Sequence, residues 1–356
     1  MWGDIAIAFV LAFITAYVVT PYSMRFARKI KAVDIPSERR INKVPMPRLG
    51  GLAILSGFLV SMIYLLVSMK IENRYEFNEY HLKIIGFFLG ITIISLVGFI
   101  DDCKNIHPLL KLLGQTIAAG VVMAFGITIG DINIPIFDNL IDLNGALEYV
   151  ITWFWIVGIT NAINFTDGLD GLSSGITLIA CVSLLIIFAS NGSPLLSILL
   201  ITALAGGIVG FLPFNFNPAK TYMGDCGSNF LGFAISIIAI LGVAKTYTII
   251  VIIAPLIVLA LPIFDTAFAV VRRIVKGKSI KAVFQPDRGH LHHRLMDLGY
   301  SQKSAVLILY AVTATLGMFA IILLESGIWK ATSFALLVIA IFAMGYKDIL
   351  KKNKEE

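Results

Sequence analysis

The chain repeatedly runs for about 20 residues with almost no charge, the length at which an α-helix crosses the hydrocarbon core of a bilayer. About eleven such runs can be marked, at 5–22, 49–69, 82–100, 109–129, 147–164, 169–190, 195–213, 229–244, 248–271, 305–324 and 328–346. Hydrocarbon offers backbone N–H and C=O groups no partner, so runs of this kind must satisfy themselves as helices. The expectation is an all-α, polytopic integral membrane protein, one transmembrane helical domain over residues 1–356. Composition agrees. The 356 residues are 58% hydrophobic and 14% charged, against about 25% charged residues in a soluble domain. A soluble core of this length could not hide so much apolar surface. Cys103, Cys181 and Cys226 stand far apart with no metal-ligand spacing, and read as free thiols.

Charge sets the expected orientation. The opening Met1-Trp2-Gly3-Asp4 lacks a positive n-region, and Arg25, Arg28 and Lys29 follow the first apolar run directly. That pattern predicts a retained first span with its C-terminal end in the cytoplasm. With the N-terminus outside and the C-terminus inside, 23 of the 28 lysines and arginines fall on inner segments, a strong positive-inside asymmetry. The segments 25–48 and 272–303 carry most of them, whereas the outer loop at 130–146 is acidic. No repeat, linker or soluble domain interrupts the pattern.

The polar clusters all fall on the same predicted inner side. Asp101-Asp102 ends an apolar run. A carboxylate inside a span costs about 2.5–3.5 kcal/mol on insertion scales, so the pair calls for a wet cleft, a cation or a solvated helix end. Asn161-Ala-Ile-Asn164-Phe-Thr166-Asp167-Gly168-Leu169-Asp170-Gly171 joins amides, carboxylates and glycines where a span should end. Such groups suit a base and ribose; a polar turn would explain the glycines but not the two asparagines. In Asn215-Phe-Asn217-Pro218-Ala-Lys220-Thr-Tyr222-Met-Gly224-Asp225-Cys-Gly227-Ser228, Asp225 lies between glycines before an apolar helix. It can cap that helix, and it can offer oxygen to magnesium while helix-start N–H groups meet phosphate.

Two basic loops complete the set. Pro286-Asp287-Arg288-Gly289-His290-Leu-His292-His293-Arg294 has no partner cysteine for a zinc site, and its arginines would repel a cation. Imidazoles beside arginines suit a pyrophosphate; the other reading is a basic helix on anionic lipid. Arg39-Arg40-Ile-Asn42-Lys43-Val-Pro45-Met-Pro47-Arg48-Leu-Gly50-Gly51 enters the second span, and Lys43 there is a candidate phosphate contact. Carboxylates for magnesium, glycine turns and cations are the recurring parts of phosphoryl chemistry. The sequence has no Walker-type Gly-Lys-Ser/Thr run, which argues against ATP hydrolysis.

In these motifs, and in their order, nearly the whole chain resembles the polyprenyl-phosphate N-acetylhexosamine 1-phosphate transferases, glycosyltransferase family 4. Asn161-Ala-x-Asn164-x-x-Asp167-Gly168-Leu169-Asp170-Gly171 and Met223-Gly224-Asp225-x-Gly227-Ser228 carry the resemblance. Arg288-x-His290-Leu-His292-His293-Arg294 and Pro47-Arg48-Leu49-Gly50-Gly51 look like the WecA/TagO-like branch, which uses UDP-N-acetylglucosamine, although Arg40 and Asn42 stand where that branch has lysine and histidine. The resemblance implies transfer of a sugar 1-phosphate to undecaprenyl phosphate with release of UMP, in the bacterial plasma membrane, with magnesium (or manganese) as cofactor. It implies Asp225 as metal ligand and Asp101 or Asp102 acting on the lipid phosphate, with Lys43 and Lys111 holding phosphates. Asn164, Asp167, Gly168, Leu169, Asp170, Asn215 and Tyr222 would take the uridine, and Arg288, His290, His292 and His293 would cover sugar and pyrophosphate. The family also implies a homodimer; nucleic acid is not an expected partner. Two rivals remain: a muramoyl-pentapeptide transferase with the same chemistry, and a transporter of lipid-linked or anionic solutes.

Overall fold

The structure is a computed structural model that describes residues 2–36, 44–72, 75–130, 132–134, 139–141, 145–243, 249–279, 282 and 289–340. Lys43 and Arg288, both expected phosphate contacts, lie outside the described residues. So does the tail from residue 341. The described chain is nearly all helical. In order come α1 (Trp2–Lys29), α2 (Gly51–Ile71), α3 (Tyr75–Lys104), α4 (Pro108–Ala124), α5 (Ala146–Thr166), α6 (Leu172–Ser190), α7 (Leu195–Asn215), α8 (Gly224–Val243), α9 (Ile249–Val258), α10 (Ala260–Gly277), α11 (Leu291–Asp297), α12 (Gln302–Ser326) and α13 (Ile328–Ala340). Two small antiparallel hairpins accompany them: β1 (Val33–Asp34) with β2 (Met46–Pro47), and β3 (Ile132–Ile134) with β4 (Asn139–Ile141).

Among the described residues, eight helices are long and apolar enough to cross a membrane: α1, α2, α3, α5, α6, α7, α8 and α12. The other three expected spans take a different form. The run at 109–129 becomes the shorter α4, which starts at Pro108 behind the His107 side-chain cap and stops where Gly126 turns at φ +80°. The run at 248–271 is divided at Leu259 into α9 and α10, with Pro255 and Pro262 flanking the division. Proline removes a ladder donor and crowds the preceding turn. The last run is represented by α13, whose described part is short.

Helix α8 is the hub, buried along its whole span, with α7 nearly so. Around them the outer helices turn Val10, Ile14 and Val18 of α1, and Ile63, Tyr64 and Val67 of α2, outwards, as lipid contact requires. Close packing is made by small residues, as is usual between membrane helices. Ala8, Ala12 and Ala16 form one buried stripe of α1. Gly57 of α2 abuts the Ala12 carbonyl, and Gly206 and Gly210 of α7 abut those of Phe9 and Phe13. Ser61 donates to the Ala8 carbonyl at 2.8 Å.

The same device brings α2 and α3 to the start of α8. Gly51 touches Gly227 backbone to backbone, and a Cβ on Gly98 would lie 2.6 Å from the Cys226 Cα. Strand β2 and the residues after it are stitched to the segment before α8. Tyr222 N donates to the Pro47 carbonyl at 2.8 Å, Gly50 N to Tyr222 O at 3.0 Å, and Gly51 N to Met223 O at 2.8 Å. Sequence-distant motifs thereby become neighbours at one end of the bundle.

Candidate active site

At that end lies a cavity of about 280 Å³. Its walls come from every cluster but one. The α5–α6 turn supplies Asn164, Asp167, Gly168, Leu169 and Asp170, the α7–α8 segment Asn215, Tyr222, Gly224 and Asp225, and the histidine segment His293. Four lining residues were not singled out as site residues in the sequence: Asp34, Arg48, Gly224 and Gln302. Asp34 could have been noticed as a carboxylate in a basic loop. Gln302 carries no chemical signal of its own.

Asp225 sits in the first turn of α8, where a carboxylate suits the helix dipole. Its Oδ1 accepts from Asn164 Nδ2 at 3.0 Å, and Asn164 also donates to Ser228 Oγ at 2.7 Å. Its Oδ2 is paired with Lys111 Nζ, which also pairs with Asp101. Gly224 makes this turn possible. Its φ is +71°, and a Cβ would run into the Arg48 carbonyl and lie 2.6 Å from Asp102 Oδ2.

The adjacent carboxylates of α3 diverge. Asp101 Oδ1 accepts from Ile106 N at 2.8 Å, closing the end of α3, while Oδ2 takes Lys111. Asp102, its side chain wholly buried, accepts from Asp225 N and Cys226 N at 2.9 Å each, and Arg48 Nε lies 3.5 Å away. Neither carboxylate lines the cavity, and neither does Lys111. The Lys111 charge is committed to two carboxylates; among the described residues the guanidinium lining the cavity belongs to Arg48, held by Asp34 at 3.8 Å, by Asp102, and by Asn105 Oδ1 at 3.4 Å.

Other lining residues are held by hydrogen bonds. Asp170 Oδ2 accepts from Asn217 Nδ2 and Ala219 N, both at 3.0 Å, and Asn217 also donates to Gln302 Oε1 at 3.1 Å. Asn215 is fixed by Ser174 Oγ at 2.7 Å and by its own bond to Thr221 O at 3.1 Å. Enclosure by the protein, with Asp225 nearby, raises the Asp167 carboxyl to about 7. The three histidines separate in role. His293 lines the cavity, whereas His290 and His292 are buried. His292 packs on Gly168, and burial next to His293 and His290 lowers its imidazole to about 3, so it is neutral.

Among the described residues no three His, Cys, Asp or Glu side chains converge to cage a metal. Magnesium does not need a cage: it commonly takes one or two protein carboxylates and leaves its other positions to water and substrate phosphate. Asp225 and Asp167, hard oxygen donors that both line the cavity, fit that ion.

Residues 84–243, which hold both carboxylate clusters of the cavity, match the family model described as Glycosyl transferase family 4. The chain is 38% identical over 342 residues to a probable undecaprenyl-phosphate N-acetylglucosaminyl 1-phosphate transferase of Bacillus subtilis, covering 95% of this chain and 90% of that protein. It is 31% identical over 326 residues to a decaprenyl-phosphate N-acetylglucosaminephosphotransferase of Mycobacterium leprae, covering 86% and 80%. It is 30% identical over 357 residues to a phospho-N-acetylmuramoyl-pentapeptide-transferase of Desulfitobacterium hafniense, covering 92% and 100%. With its apolar helices, its one-ended cavity and these relatives together, the chain is a multi-pass membrane protein that belongs to glycosyl transferase family 4.

Proposed function

We propose that the protein transfers N-acetylglucosamine 1-phosphate from UDP-N-acetylglucosamine to undecaprenyl phosphate and releases UMP, at the cytoplasmic face of a bacterial plasma membrane. The observation that carries this reading is the cavity itself. Among the described residues, carboxylates, amides, a guanidinium and an imidazole from separate chain segments meet at one end of the helices. A transporter would need polar groups near mid-membrane and access to both faces. The one-sided lysine and arginine distribution supports an inner position for this end, on the reading of eleven spans with the N-terminus out.

In this reading a lipid phosphate oxygen attacks the β-phosphorus of the donor. The bond from that phosphorus to the oxygen bridging to the α-phosphate breaks, and UMP leaves with the electron pair. A phosphate monoester has its second pKa near ~6, so at neutral pH the nucleophile needs little help from a base. Arg48 holds the pyrophosphate by a bidentate fork, the geometry guanidinium favours, and His293 approaches from the opposite segment. Asn164, Asp170, Asn215 and Tyr222 shape the nucleoside wall. Lys111 keeps Asp225 aimed at the cavity. Magnesium, held by Asp225 with Asp167, would supply charge neutralisation of the pyrophosphate.

The test is UMP release by purified protein given undecaprenyl phosphate and one donor at a time. UDP-N-acetylglucosamine should support release. Faster release with UDP-N-acetylmuramoyl-pentapeptide would move the protein to that branch, and solute flux without UMP would refute transferase chemistry.

A further inference from the structure

Asp265 is a carboxylate in the middle of an apolar segment, away from the cavity lining. It sits on α10, almost fully buried, at 9% exposure. A buried carboxylate persists only where it is paired or well hydrogen-bonded. Its partners are both in the histidine segment. Oδ2 lies 2.8 Å from His290 Nδ1, and Oδ1 accepts from Leu291 N at 2.9 Å. An ionised carboxylate only accepts, so the His290 proton is assigned to Nδ1. The second bond caps the first turn of α11.

From this anchor a stack of rings leads to the cavity. His290 lies parallel to His292 at 5.7 Å, and His292 meets His293 at 4.3 Å. His292 rests on Gly168, so the stack also presses on the nucleoside turn. The far side is closed by Phe165, 6.2 Å from His290, under the Arg273 guanidinium at 5.4 Å. The end of the stack, His293, is the histidine that lines the cavity.

We propose that Asp265 is a positioning residue for donor binding. By holding His290 and the first turn of α11, it sets where His293 stands over the cavity. This inference rests on the transferase reading and adds to it the residue that aims the histidine segment. Its effect should fall on the nucleotide sugar and leave the lipid acceptor alone, because the anchored segment faces the nucleoside turn.

The experiment measures UMP release at varied UDP-N-acetylglucosamine and at varied undecaprenyl phosphate. It compares wild type, Asp265→Ala, Asp265→Asn, His293→Ala and the Asp265→Ala/His293→Ala double variant, each with its thermal unfolding midpoint. Loss of a buried charge-assisted contact predicts a fall in kcat/KM for the donor of roughly ten- to a hundredfold in Asp265→Ala. The acceptor KM should stay at the wild-type value. Asp265→Asn should be milder but impaired, since its amide accepts from one of the two donors and turns N–H toward the other. If Asp265 acts through His293, the double variant is no worse than the weaker single variant. Losses that multiply, or that fall equally on donor and acceptor, would overturn the inference, as would wild-type kinetics in Asp265→Asn. Where Asp265→Ala does not accumulate folded, Asp265→Asn and an Asp265→Asn/His293→Ala pair decide by the same criteria. Wild-type protein that releases no UMP from this donor overturns the transferase reading instead.

Discussion

Replacing Asp102 by asparagine separates a carboxylate that acts on substrate from one that builds the site. Its two oxygens accept from Asp225 N and Cys226 N, both at 2.9 Å, within a wholly buried side chain. Asparagine can keep one of these bonds; its NH₂ then points at the other N–H. The change removes a hydrogen bond to a charged acceptor, about 1.5–3 kcal/mol, and strands a buried donor, about 1–3 kcal/mol. Relief of carboxylate burial works the other way, but Arg48, with Nε 3.5 Å from Asp102, loses its buried counter-charge at the same time. The net expectation is destabilisation on the order of 3 kcal/mol, concentrated at the turn that presents Asp225. The assay is thermal unfolding of the detergent-solubilised protein, followed by tryptophan fluorescence, beside UMP release at saturating substrates. Asp102→Asn should lower the midpoint and the turnover together. A wild-type midpoint with collapsed turnover would refute the reasoning and place Asp102 on the substrate.

Asp225→Asn is the converse case: its carboxylate faces the cavity, so turnover should collapse with magnesium in excess even though the loss of the Lys111 pair also lowers the unfolding midpoint, and near-normal UMP release would refute its assignment as a magnesium ligand. On a cysteine-free background, Ser279→Cys should be shielded from an impermeant thiol reagent in intact cells and Asn139→Cys labelled; the reverse pattern would put the cavity outside. His292 binds its proton less well in the folded chain than in the unfolded one, so its contribution to stability is complete above the unfolded value near 6.5 and is lost as pH falls toward its folded value of about 3. Between pH 7 and pH 5 that loss amounts to about 2 kcal/mol. The unfolding midpoint of His292→Gln should therefore fall less steeply over this interval than that of wild type, and equal slopes would count against a buried neutral imidazole.

The helices were legible because a bilayer imposes a length on them. Runs such as 49–69 and 195–213 reappear as α2 and α7 with small changes at their ends. What could not be read was which helix is central. Apolar residues in lipid and apolar residues in a protein core obey the same preference against water, so α8 gave no sign that its whole span is buried while α1 is mostly turned outwards. The division at Leu259 had a visible cause in Pro255 and Pro262, but a proline permits a break without requiring one, since neighbouring helices can satisfy the freed groups.

The site was legible as an inventory of chemical groups and illegible as a set of pairings. Asp101-Asp102 looked like a unit because the residues are adjacent. On a helix, successive side chains point about 100° apart. Asp101 therefore meets Lys111 of α4, and Asp102 meets the backbone at the start of α8. Two carboxylates that do line the cavity, Asp167 and Asp225, come from motifs far apart in the sequence. Lys111 drew attention as a cation for phosphate, but it pairs with Asp101 and Asp225 away from the cavity lining, whereas Arg48, itself paired with Asp34 and Asp102, lines the cavity. Asp265 did leave a trace: an ionisable residue inside an apolar run is a functional candidate by default. Its meaning lay in a partner 25 residues away, His290. A buried charge in a membrane protein identifies itself by its cost, and only the fold shows what offsets it.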